Sequence, residues 1–241
     1  MKFLSIENLN KKYSDIDVLD NITFRINKGE FVSVIGPNGC GKTTLLNLIA
    51  GIDRGHEGNI KCPANTRIGF IFQNPNDSVL PWKTVAENIR LDNKNLDEKC
   101  ICRVLDETGI LKFKDKYPYQ LSGGMKQLLA ISRAFVYDCN LLLLDEPFAS
   151  LDFYTGLDIR DRLIKLWEKK KPTVIFVSHN IEDAILLSDK IIILSKRPGK
   201  IKKIIKIGLQ RPRNPSLVLS TRFLRYKKII LETIKNESLS K

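Results

Sequence analysis

Long hydrophobic runs are missing from this sequence of 241 residues. Its longer apolar stretches, such as residues 141–144 and 191–194, have the length of β-strands, whereas a helix that crosses a membrane needs about 20 apolar residues. The first ten residues also lack the hydrophobic segment and cleavage site of a secretory signal. We therefore expect no transmembrane helix and a cytoplasmic location.

Cysteine is scarce, and its spacing fits no common metal or disulfide pattern. The five cysteines are Cys40, Cys62, Cys100, Cys102 and Cys139. Cys100 and Cys102 have no second pair elsewhere that could complete a zinc site. We expect five reduced thiols with structural roles.

Acidic residues are scarce only toward the end of the chain. The formal net charge is +13, from 40 basic and 27 acidic residues, yet residues 160–241 hold 21 Lys and Arg against 7 Asp and Glu. No zinc-finger, aromatic RNA-binding or helix-turn-helix motif accompanies this excess. We therefore expect no nucleic-acid partner and interpret the basic residues as a solvated face.

The hydrophobic pattern at the start of the chain predicts strands followed by a helix. Residues 2–7 and 22–26 alternate apolar and polar side chains, as antiparallel strands do, and residues 31–35 form an apolar strand. The helical pattern that begins at Lys42 ends at Gly51, and glycine commonly closes helices. A strand, a glycine-rich turn and a helix therefore follow one another.

Farther along, strands and helices alternate. We predict strands at 68–72, 141–144, 173–177 and 191–194 and helices at 153–170 and 181–187. Residues 84–138 have the pattern of helical segments broken at Asp92-Asn93 and at Tyr117-Pro118. Because apolar strands that alternate with helices form parallel sheets covered on both faces, we predict an α/β fold.

The helical stretch 84–138 is too long for a simple connection between two strands. We therefore predict a single domain with an inserted part. Residues 1–75 and 139–210 would form the core with an N-terminal antiparallel β subdomain, residues 76–138 a helical subdomain, and residues 211–241 a basic helical tail.

A phosphate-binding motif lies between the apolar strand 31–35 and the first helix. The string Gly36-Pro37-Asn38-Gly39-Cys40-Gly41-Lys42-Thr43 fits the pattern G-x-x-x-x-G-K-[ST]. Its glycines let backbone N–H groups face phosphate oxygens, and the helix N-terminus adds positive charge. Lys42 supplies a cation for the β- and γ-phosphates, and Thr43 supplies a hydroxyl for Mg²⁺. The motif predicts a P-loop NTPase.

Two adjacent carboxylates follow the apolar strand 141–144. Asp145 can hold the Mg²⁺ shell, and Glu146 can polarise the attacking water as a general base. The alternative is that the pair only caps a helix. Because a phosphate motif lies upstream, we favour the catalytic interpretation.

A third motif, Leu121-Ser122-Gly123-Gly124-Met125-Lys126-Gln127, lies between the first two. It is a second anion-binding helix start, in which Ser122 caps the helix and the glycines free N–H groups. With the three motifs in this order, the sequence resembles the ATP-binding subunit of an ABC transporter. The resemblance covers Phe3 to about Pro212. It implies an ABC ATPase fold with a mostly parallel core sheet, and ATP and Mg²⁺ as ligands.

The resemblance also assigns residues outside the three motifs. Tyr13 resembles the aromatic residue that stacks on adenine, and Gln73 the glutamine that touches Mg²⁺ and water. Asp152 resembles the aspartate that links the two sites of a dimer, and His179 the switch histidine at the γ-phosphate. The implied ATP contacts are Tyr13, Gly36, Asn38, Gly39, Cys40, Gly41, Lys42, Thr43, Thr44, Ser122, Gly123, Gly124, Gln127 and Asp152. Catalytic roles are implied for Glu146, His179 and Gln73, and metal binding for Thr43, Gln73 and Asp145.

Simpler interpretations exist for the four residues outside the motifs. Tyr13 could be a surface aromatic, Gln73 a turn residue, Asp152 a helix N-cap and His179 a strand-end histidine. Two positions also depart from the family pattern: Asn180 stands where an aspartate commonly follows the histidine, and Leu128 where a basic residue often follows the glutamine. Neither position contacts phosphate, so we expect an effect on rate rather than on reaction type.

Two segments narrow the resemblance to one group of importers. Leu80-Pro81-Trp82 and Ser195-Lys196-Arg197-Pro198-Gly199-Lys200-Ile201 are together similar to subunits of nitrate, sulfonate and taurine importers. In such a subunit, Trp82 would be an interface residue that binds a segment of the permease. The alternative interpretation is that Trp82 packs in the core. The substrate does not touch this subunit, so only its class, a small organic or inorganic anion, is expected.

The resemblance implies partners as well. Two copies would sandwich two ATP molecules head to tail, each LSGG motif closing on the nucleotide of the other copy. This homodimer would bind integral-membrane permease subunits at the cytoplasmic face of the cell membrane and serve a solute-binding protein indirectly. The alternative is a soluble ABC-type ATPase that drives an assembly or adapter complex without a permease.

Overall fold

The computed structural model describes residues 2–91, 96–149 and 151–235. The β-strands in these ranges are β1 (Lys2–Tyr13), β2 (Ile16–Asn27), β3 (Phe31–Ile35), β4 (Glu57–Lys61), β5 (Ile68–Ile71), β6 (Leu141–Asp145), β7 (Thr173–Val177), β8 (Lys190–Leu194) and β9 (Ile201–Lys206). The α-helices are α1 (Lys42–Ala50), α2 (Val85–Arg90), α3 (Glu98–Glu107), α4 (Gly123–Val136), α5 (Phe153–Lys170), α6 (Ile181–Leu187) and α7 (Thr221–Lys235). None of these helices combines the length and the apolar character that crossing a membrane requires.

Contacts within the chain define two compact units, and the first comprises residues 1–66 and 173–241. Its N-terminal part is an antiparallel sheet with the strand order β2-β1-β4. Ile6 on β1 pairs with Phe24 on β2 and with Ile60 on β4. The two antiparallel strands predicted here are confirmed, although β1 and β2 each extend to 12 residues.

The first unit also contains parallel strands that are buried along their whole length. β3 is parallel to both β7 and β8, and Val34 lies opposite Val177 and Ile192. All five residues of each of these strands are buried, as in parallel sheets with both faces covered. The prediction of a mostly parallel α/β core is confirmed.

Two strands of the first unit were not predicted. β4 (Glu57–Lys61) is almost entirely exposed and has no apolar alternation. β9 (Ile201–Lys206) is antiparallel to β8 and carries three exposed lysines among its isoleucines. Both segments form strands because a neighbouring strand offers hydrogen-bond partners to their backbone. Hydrophobic periodicity in the sequence does not reveal such partners.

The second unit comprises residues 67–172. Its strands β5 and β6 are parallel, with Ile71 opposite Leu144. Side-chain oxygens cap its helices at their N-termini: Thr84 caps α2, Asp97 α3, Ser122 α4 and Asp152 α5. Each cap satisfies backbone N–H groups that the first helical turn leaves without a partner.

The helical pattern of the second unit follows the prediction closely. The predicted helix 153–170 is α5, residue for residue. The predicted break at Tyr117-Pro118 is confirmed, because the 3-10 helix Pro118–Gln120 precedes α4. The predicted break at Asp92-Asn93 lies outside the described residues. The boundaries 76 and 138 of a helical subdomain stay predictions.

The basic end of the chain is partly built into the first unit. In α7, Phe223 and Ile230 are fully buried and belong to a hydrophobic cluster with Ile193 and Ala184. Exposed lysines on β9 and arginines on α7 are solvated, as predicted for the basic excess. Residues 236–241 of the predicted tail lie outside the described residues.

Arg213 is an exception to the solvated basic face. Its side chain is nearly inaccessible, and its guanidinium donates five hydrogen bonds of 2.6–3.3 Å to the carbonyl oxygens of Ile185, Leu186, Ser188 and Leu209. Three of these carbonyls lie at the C-terminal end of α6, where helical partners are lacking. Burial lowers the pKa of Arg213 to about 10.

We expect Arg213→Met to destabilise the protein by about 3 kcal/mol, because buried carbonyl groups lose their donor. Chemical denaturation followed by circular dichroism would measure the change. Arg222→Met on the exposed side of α7 is the matched control and should change stability by less than about 0.5 kcal/mol. Equal effects of the two substitutions would contradict the structural role of Arg213.

Candidate active site

In the first unit, two predicted site segments leave the same edge of the parallel strands. The phosphate loop follows β3, and His179 follows β7 after Ser178. Val34 and Val177 are opposite each other, and the Ser178 N–H donates to the Val34 carbonyl oxygen at 3.3 Å. Parallel pairing therefore places both segments at the carboxyl edge, where ligands bind in α/β folds.

The phosphate loop has the geometry of an anion cradle. Gly39 has a φ of 74°, and a Cβ added to it would meet no atom within 4 Å, so nothing obstructs its backbone. Gly41 has a φ of 98° and occupies the N-cap of α1, where no side chain caps the first helical turn. The N–H groups at this helix start are therefore available to an anion. Asn38 beside them is exposed.

Cys40 differs from its neighbours in the loop. Its side chain is fully buried, and its N–H donates to the Pro37 carbonyl oxygen at 3.4 Å. The thiol therefore serves packing, and only the backbone of Cys40 borders the loop. The other four cysteines are free thiols too, and burial raises the pKa of Cys139 to about 11.

Lys42 places its ammonium inside the loop. Its Nζ donates to the carbonyl oxygens of Gly36 and Pro37, each at 3.0 Å. The side chain is largely buried, so its charge is held close to the backbone N–H groups of the cradle. The next residue, Thr43, is exposed in the first turn of α1. The loop thus combines a fixed cation, free N–H groups and an accessible hydroxyl, which suits a phosphate group.

Tyr13 ends β1 and joins a small polar cluster. Its hydroxyl donates to a carboxylate oxygen of Asp53. Lys11 donates to the other Asp53 oxygen at 2.7 Å. The hydrogen bond to Asp53 raises the pKa of Tyr13. Tyr13 is therefore not a loosely placed surface aromatic.

Neither Lys11 nor Asp53 belongs to the set of site residues predicted from the sequence. Lys11 precedes Tyr13 by two positions on β1, so strand alternation alone places both side chains on one face. No sequence pattern connects Tyr13 with Asp53, which lies 40 residues away. That contact exists only because β1 passes close to the end of α1.

His179 is exposed beyond the end of β7. The next residue, Asn180, caps α6: its Oδ1 accepts from the N–H groups of Glu182 at 2.9 Å and Asp183 at 3.2 Å. An aspartate would make the same cap. The departure from the family pattern at this position therefore preserves the local structure that holds His179.

In the second unit, the two adjacent carboxylates differ in burial and backbone. Asp145 is the last residue of β6 and is buried, whereas Glu146 is partly exposed. Glu146 has a φ of 45°, an uncommon value for a residue with a side chain that often marks functional sites. The helix-cap alternative fails, because Asp152 caps the next helix, α5.

Gln73 lies two residues beyond the end of β5 and is exposed. Because Ile71 pairs with Leu144 in parallel, Gln73 and Asp145 leave the same edge of the second unit. This arrangement brings together two of the three residues predicted to bind metal.

The LSGG segment begins α4 as predicted. Ser122 caps the helix by accepting from the Met125 N–H at 3.3 Å. Nothing lies within 4 Å of a Cβ added to Gly123, whereas one added to Gly124 would meet Thr155 at 2.7 Å. Gly123 therefore keeps the helix start open, and Gly124 is required by packing against α5.

Gln127 does not share this open surface. Its side chain is fully buried, and neither amide atom has a hydrogen-bond partner among the described residues. The predicted contact of Gln127 with ATP has no support in this geometry.

Asp152 has the role that its simpler interpretation gave it. It is exposed, and it caps α5 by accepting from the Thr155 N–H at 3.0 Å. Hydrogen bonds from the Thr155 hydroxyl and backbone lower the pKa of Asp152. A link across a dimer stays a prediction for this residue.

The donor chemistry of the predicted metal ligands suits Mg²⁺. Thr43, Gln73 and Asp145 offer a hydroxyl, an amide carbonyl and a carboxylate, all oxygen donors of the kind that Mg²⁺ prefers. Among the described residues, no group of three or more His, Cys, Asp or Glu could hold a metal ion. Binding of a metal by this mixed set stays a prediction.

Comparison with known sequences gives consistent results. The sequence pattern of the family described as "ABC transporter" matches residues 19–149. An uncharacterised ABC transporter ATP-binding protein of Methanocaldococcus jannaschii is 41% identical, covering 98% of this chain and 92% of the relative. The aliphatic sulfonates import ATP-binding protein SsuB of Bacillus cereus is also 41% identical, covering 98% of this chain and 97% of the relative.

Solved structures show the same likeness. A dimeric ATP-binding cassette in a post-hydrolysis state, bound to ADP and Pi, is 30% identical and superposes with a TM-score of 0.74. The match covers 86% of this chain and all of that one. A nucleotide-free ATP-binding cassette from an ABC transporter, 22% identical, superposes over all of both chains with a TM-score of 0.77, which supports the fold alone.

We expect Lys42→Ala to weaken ATP binding about 10- to 100-fold, because a charge-assisted contact with phosphate is lost. Isothermal titration calorimetry would measure the affinity. Lys28→Ala, at an exposed turn before β3, is the control and should bind like the wild type. Unchanged affinity of Lys42→Ala would contradict the phosphate cradle.

Proposed function

The chain belongs to the ABC transporter family, and from this premise we propose that it powers the import of a small sulfonate. As a member of the family, it is an ATP-hydrolysing subunit of a transporter. The observation that carries the substrate proposal is the 41% identity, over nearly the full length of both chains, to a protein named for aliphatic sulfonate import. The equally similar relative from Methanocaldococcus jannaschii has no named substrate. Nitrate is therefore the competing candidate, whereas taurine, which is itself a sulfonate, is a narrower candidate within the proposed class.

The alternative of a soluble ATPase without a permease is not favoured. The relative from Methanocaldococcus jannaschii is described as an ABC transporter ATP-binding protein, and the one from Bacillus cereus as an import ATP-binding protein. The exposed Trp82 also favours a membrane partner over an isolated enzyme. We place the chain at the cytoplasmic face of the cell membrane, bound through permease subunits and serving a solute-binding protein indirectly.

We further propose that two copies of the chain act as an ATP-sandwich homodimer. The related cassette bound to ADP and Pi was solved as a dimer. In this chain, Ser122 and Gly123 form an exposed and unobstructed helix start. Its N–H groups and positive dipole end can bind an anion brought by a second copy.

The proposed chemistry distributes roles among the motifs. The cradle around Lys42 binds the β- and γ-phosphates, and Glu146 accepts a proton from the attacking water. His179 donates a hydrogen bond to the γ-phosphate. Mg²⁺, when bound through Thr43, Gln73 and Asp145, would neutralise charge on the phosphates. Glu146 follows the last residue of β6, Asp145, with a positive φ, and we assign Asp145 to the metal and Glu146 to the water.

We expect Glu146→Gln to lower ATP turnover at least about 100-fold, because an amide cannot act as a general base. The variant should still bind ATP and should accumulate as a dimer, which size-exclusion chromatography with ATP would detect. Glu168→Gln, on the exposed side of α5, is the control and should turn over normally. Normal turnover by Glu146→Gln would refute the general-base role.

Trp82 is displayed at the surface by a fixed loop. Its side chain is 70% exposed, so the core-packing alternative is wrong. The buried Asn88 accepts from the Leu80 N–H at 2.8 Å and donates to the carbonyl oxygens of Leu80, Lys83 and Thr84 at 2.9–3.0 Å. These bonds hold both ends of the loop, so Trp82 is presented without a flexible backbone.

A groove in the same unit extends the docking surface. It has a volume of about 650 Å³ and is lined in part by Phe70, Phe72, Asn88 and Tyr137. The rings of Phe70 and Phe72 stack with centroids 4.4 Å apart. Asn88, which holds the Trp82 loop, also lines this groove, and an exposed tryptophan together with a groove of mixed aromatic and polar lining suits a short amphipathic segment of a permease.

The test uses native cells in which a tagged chain is the sole copy. The wild type should co-purify with a hydrophobic permease and support uptake of labelled ethanesulfonate. Trp82→Ala should lower permease recovery about tenfold, as loss of an interface anchor does, and should lower uptake with it. Leu219→Ala removes an equally exposed apolar residue of the first unit and should change neither.

The outcomes separate the parts of this proposal. Uptake of nitrate, but of neither ethanesulfonate nor taurine, would overturn the substrate assignment and keep the importer. Recovery of soluble partners only would overturn the importer itself. Unaltered permease recovery by Trp82→Ala would overturn the docking site.

A further inference from the structure

Tyr13 is held by two charged residues that have no part in the proposed chemistry. Its hydroxyl donates to Asp53, and the Lys11 ammonium lies 4.3 Å from the centroid of its ring. We propose that Lys11 and Asp53 are positioning residues that fix the Tyr13 ring as a platform for the adenine base. This inference rests on the proposed function, ATP binding by this chain, and on the expectation from the sequence resemblance that Tyr13 stacks on adenine.

Lys11 has an ammonium that is fixed in place. Its side chain is only 4% exposed, and its Nζ donates to Asp53 Oδ1 at 2.7 Å and to the Gly55 carbonyl oxygen at 2.6 Å. A buried ammonium held by two acceptors cannot move away without losing both bonds. Lys11 therefore keeps a constant position over the Tyr13 ring, at a distance that gives a favourable cation–π contact.

The ring has one covered face and one open face. The Lys11 ammonium occupies the covered face, while Tyr13 as a whole is 45% exposed. A flat base can therefore stack only on the open face. A fixed ring with a single open face binds a base at a lower entropic penalty than a mobile side chain does.

Asp53 connects the ring to the helix that starts at the phosphate loop. The N–H groups of Ile52 and Asp53 both donate to the Asn47 carbonyl oxygen, at 3.0 and 3.2 Å, and close the end of α1. Asp53 therefore has a fixed backbone. Asp53 thus ties the Tyr13 ring to the C-terminal end of α1, the helix that begins at Lys42.

The charges of the cluster are stable near neutral pH. The Lys11 ammonium and the Tyr13 hydroxyl both donate to Asp53 and lower the pKa of its carboxyl to about 2. The same bond raises the pKa of Tyr13. Asp53 therefore stays ionised and Tyr13 stays neutral, so the hydrogen bond keeps its donor and its acceptor.

The test separates binding of the base from binding of the phosphates. Calorimetry measures the affinity of the full chain for ATP and for inorganic tripolyphosphate, both with Mg²⁺. Asp53→Ala and Lys11→Met should each weaken ATP binding about three- to fivefold and leave tripolyphosphate binding unchanged. Tyr13→Ala, which removes the stacking ring, should weaken ATP binding about tenfold.

The substitution Tyr13→Phe provides a second variant that keeps the ring. It removes the hydroxyl and should reproduce the loss seen with Asp53→Ala. Asp17→Ala is the matched control: Asp17 is an exposed carboxylate on the same hairpin, 3.9 Å from the Lys12 ammonium. It should bind both ligands like the wild type.

Several results would overturn the inference. Equal losses of ATP and tripolyphosphate binding in Asp53→Ala would show that the cluster only supports the fold. Normal ATP binding by Asp53→Ala and Lys11→Met, together with weak binding by Tyr13→Ala, would show a platform that needs no positioning residues. If the wild type bound tripolyphosphate as tightly as ATP, the base platform would be absent. If it bound neither, the proposed function itself would fail.

Discussion

Parallel pairing of buried strands is the constraint on which the rest of this protein depends. A strand buried on both faces must satisfy every backbone N–H and carbonyl group through its neighbours. β3 does so by pairing with β7 and β8, and β6, which is buried along its whole length, pairs with β5. Parallel pairing puts the carboxyl ends of neighbouring strands at one edge. Each unit therefore presents its polar segments together: the phosphate loop with His179, and Gln73 with Asp145.

Backbone conformation then decides what those segments can do. Gly41 at the N-cap leaves the first N–H groups of α1 to a ligand, whereas α4 is capped by Ser122 and left open at Gly123. Glu146 has a positive φ directly after Asp145, the last residue of β6. In each case, the backbone conformation decides which polar groups are available for chemistry. Residue type alone does not decide this, because the same residues would also be consistent with ordinary helix capping.

Charge has two different uses in the first unit. Lysines on β9 and arginines on α7 are solvated, and they account for much of the positive net charge. Arg213 and Lys11 are instead buried and hydrogen-bonded to carbonyl or carboxylate oxygens. Burial of a cation is favourable only when such acceptors surround it. Net charge therefore gives no guide to which basic residues are structural.

The sequence by itself determined the fold class, the order of the motifs, and the exact limits of α5 and β7. These features depend on local pattern: apolar runs, helix-capping residues and glycine-rich turns act over a few positions. Tertiary structure alone decided that β4 and β9 are strands, that Gln127 is buried, and that Asp53 holds Tyr13. Those outcomes depend on which distant segments become neighbours when strands pair and helices pack, and no local pattern encodes that choice.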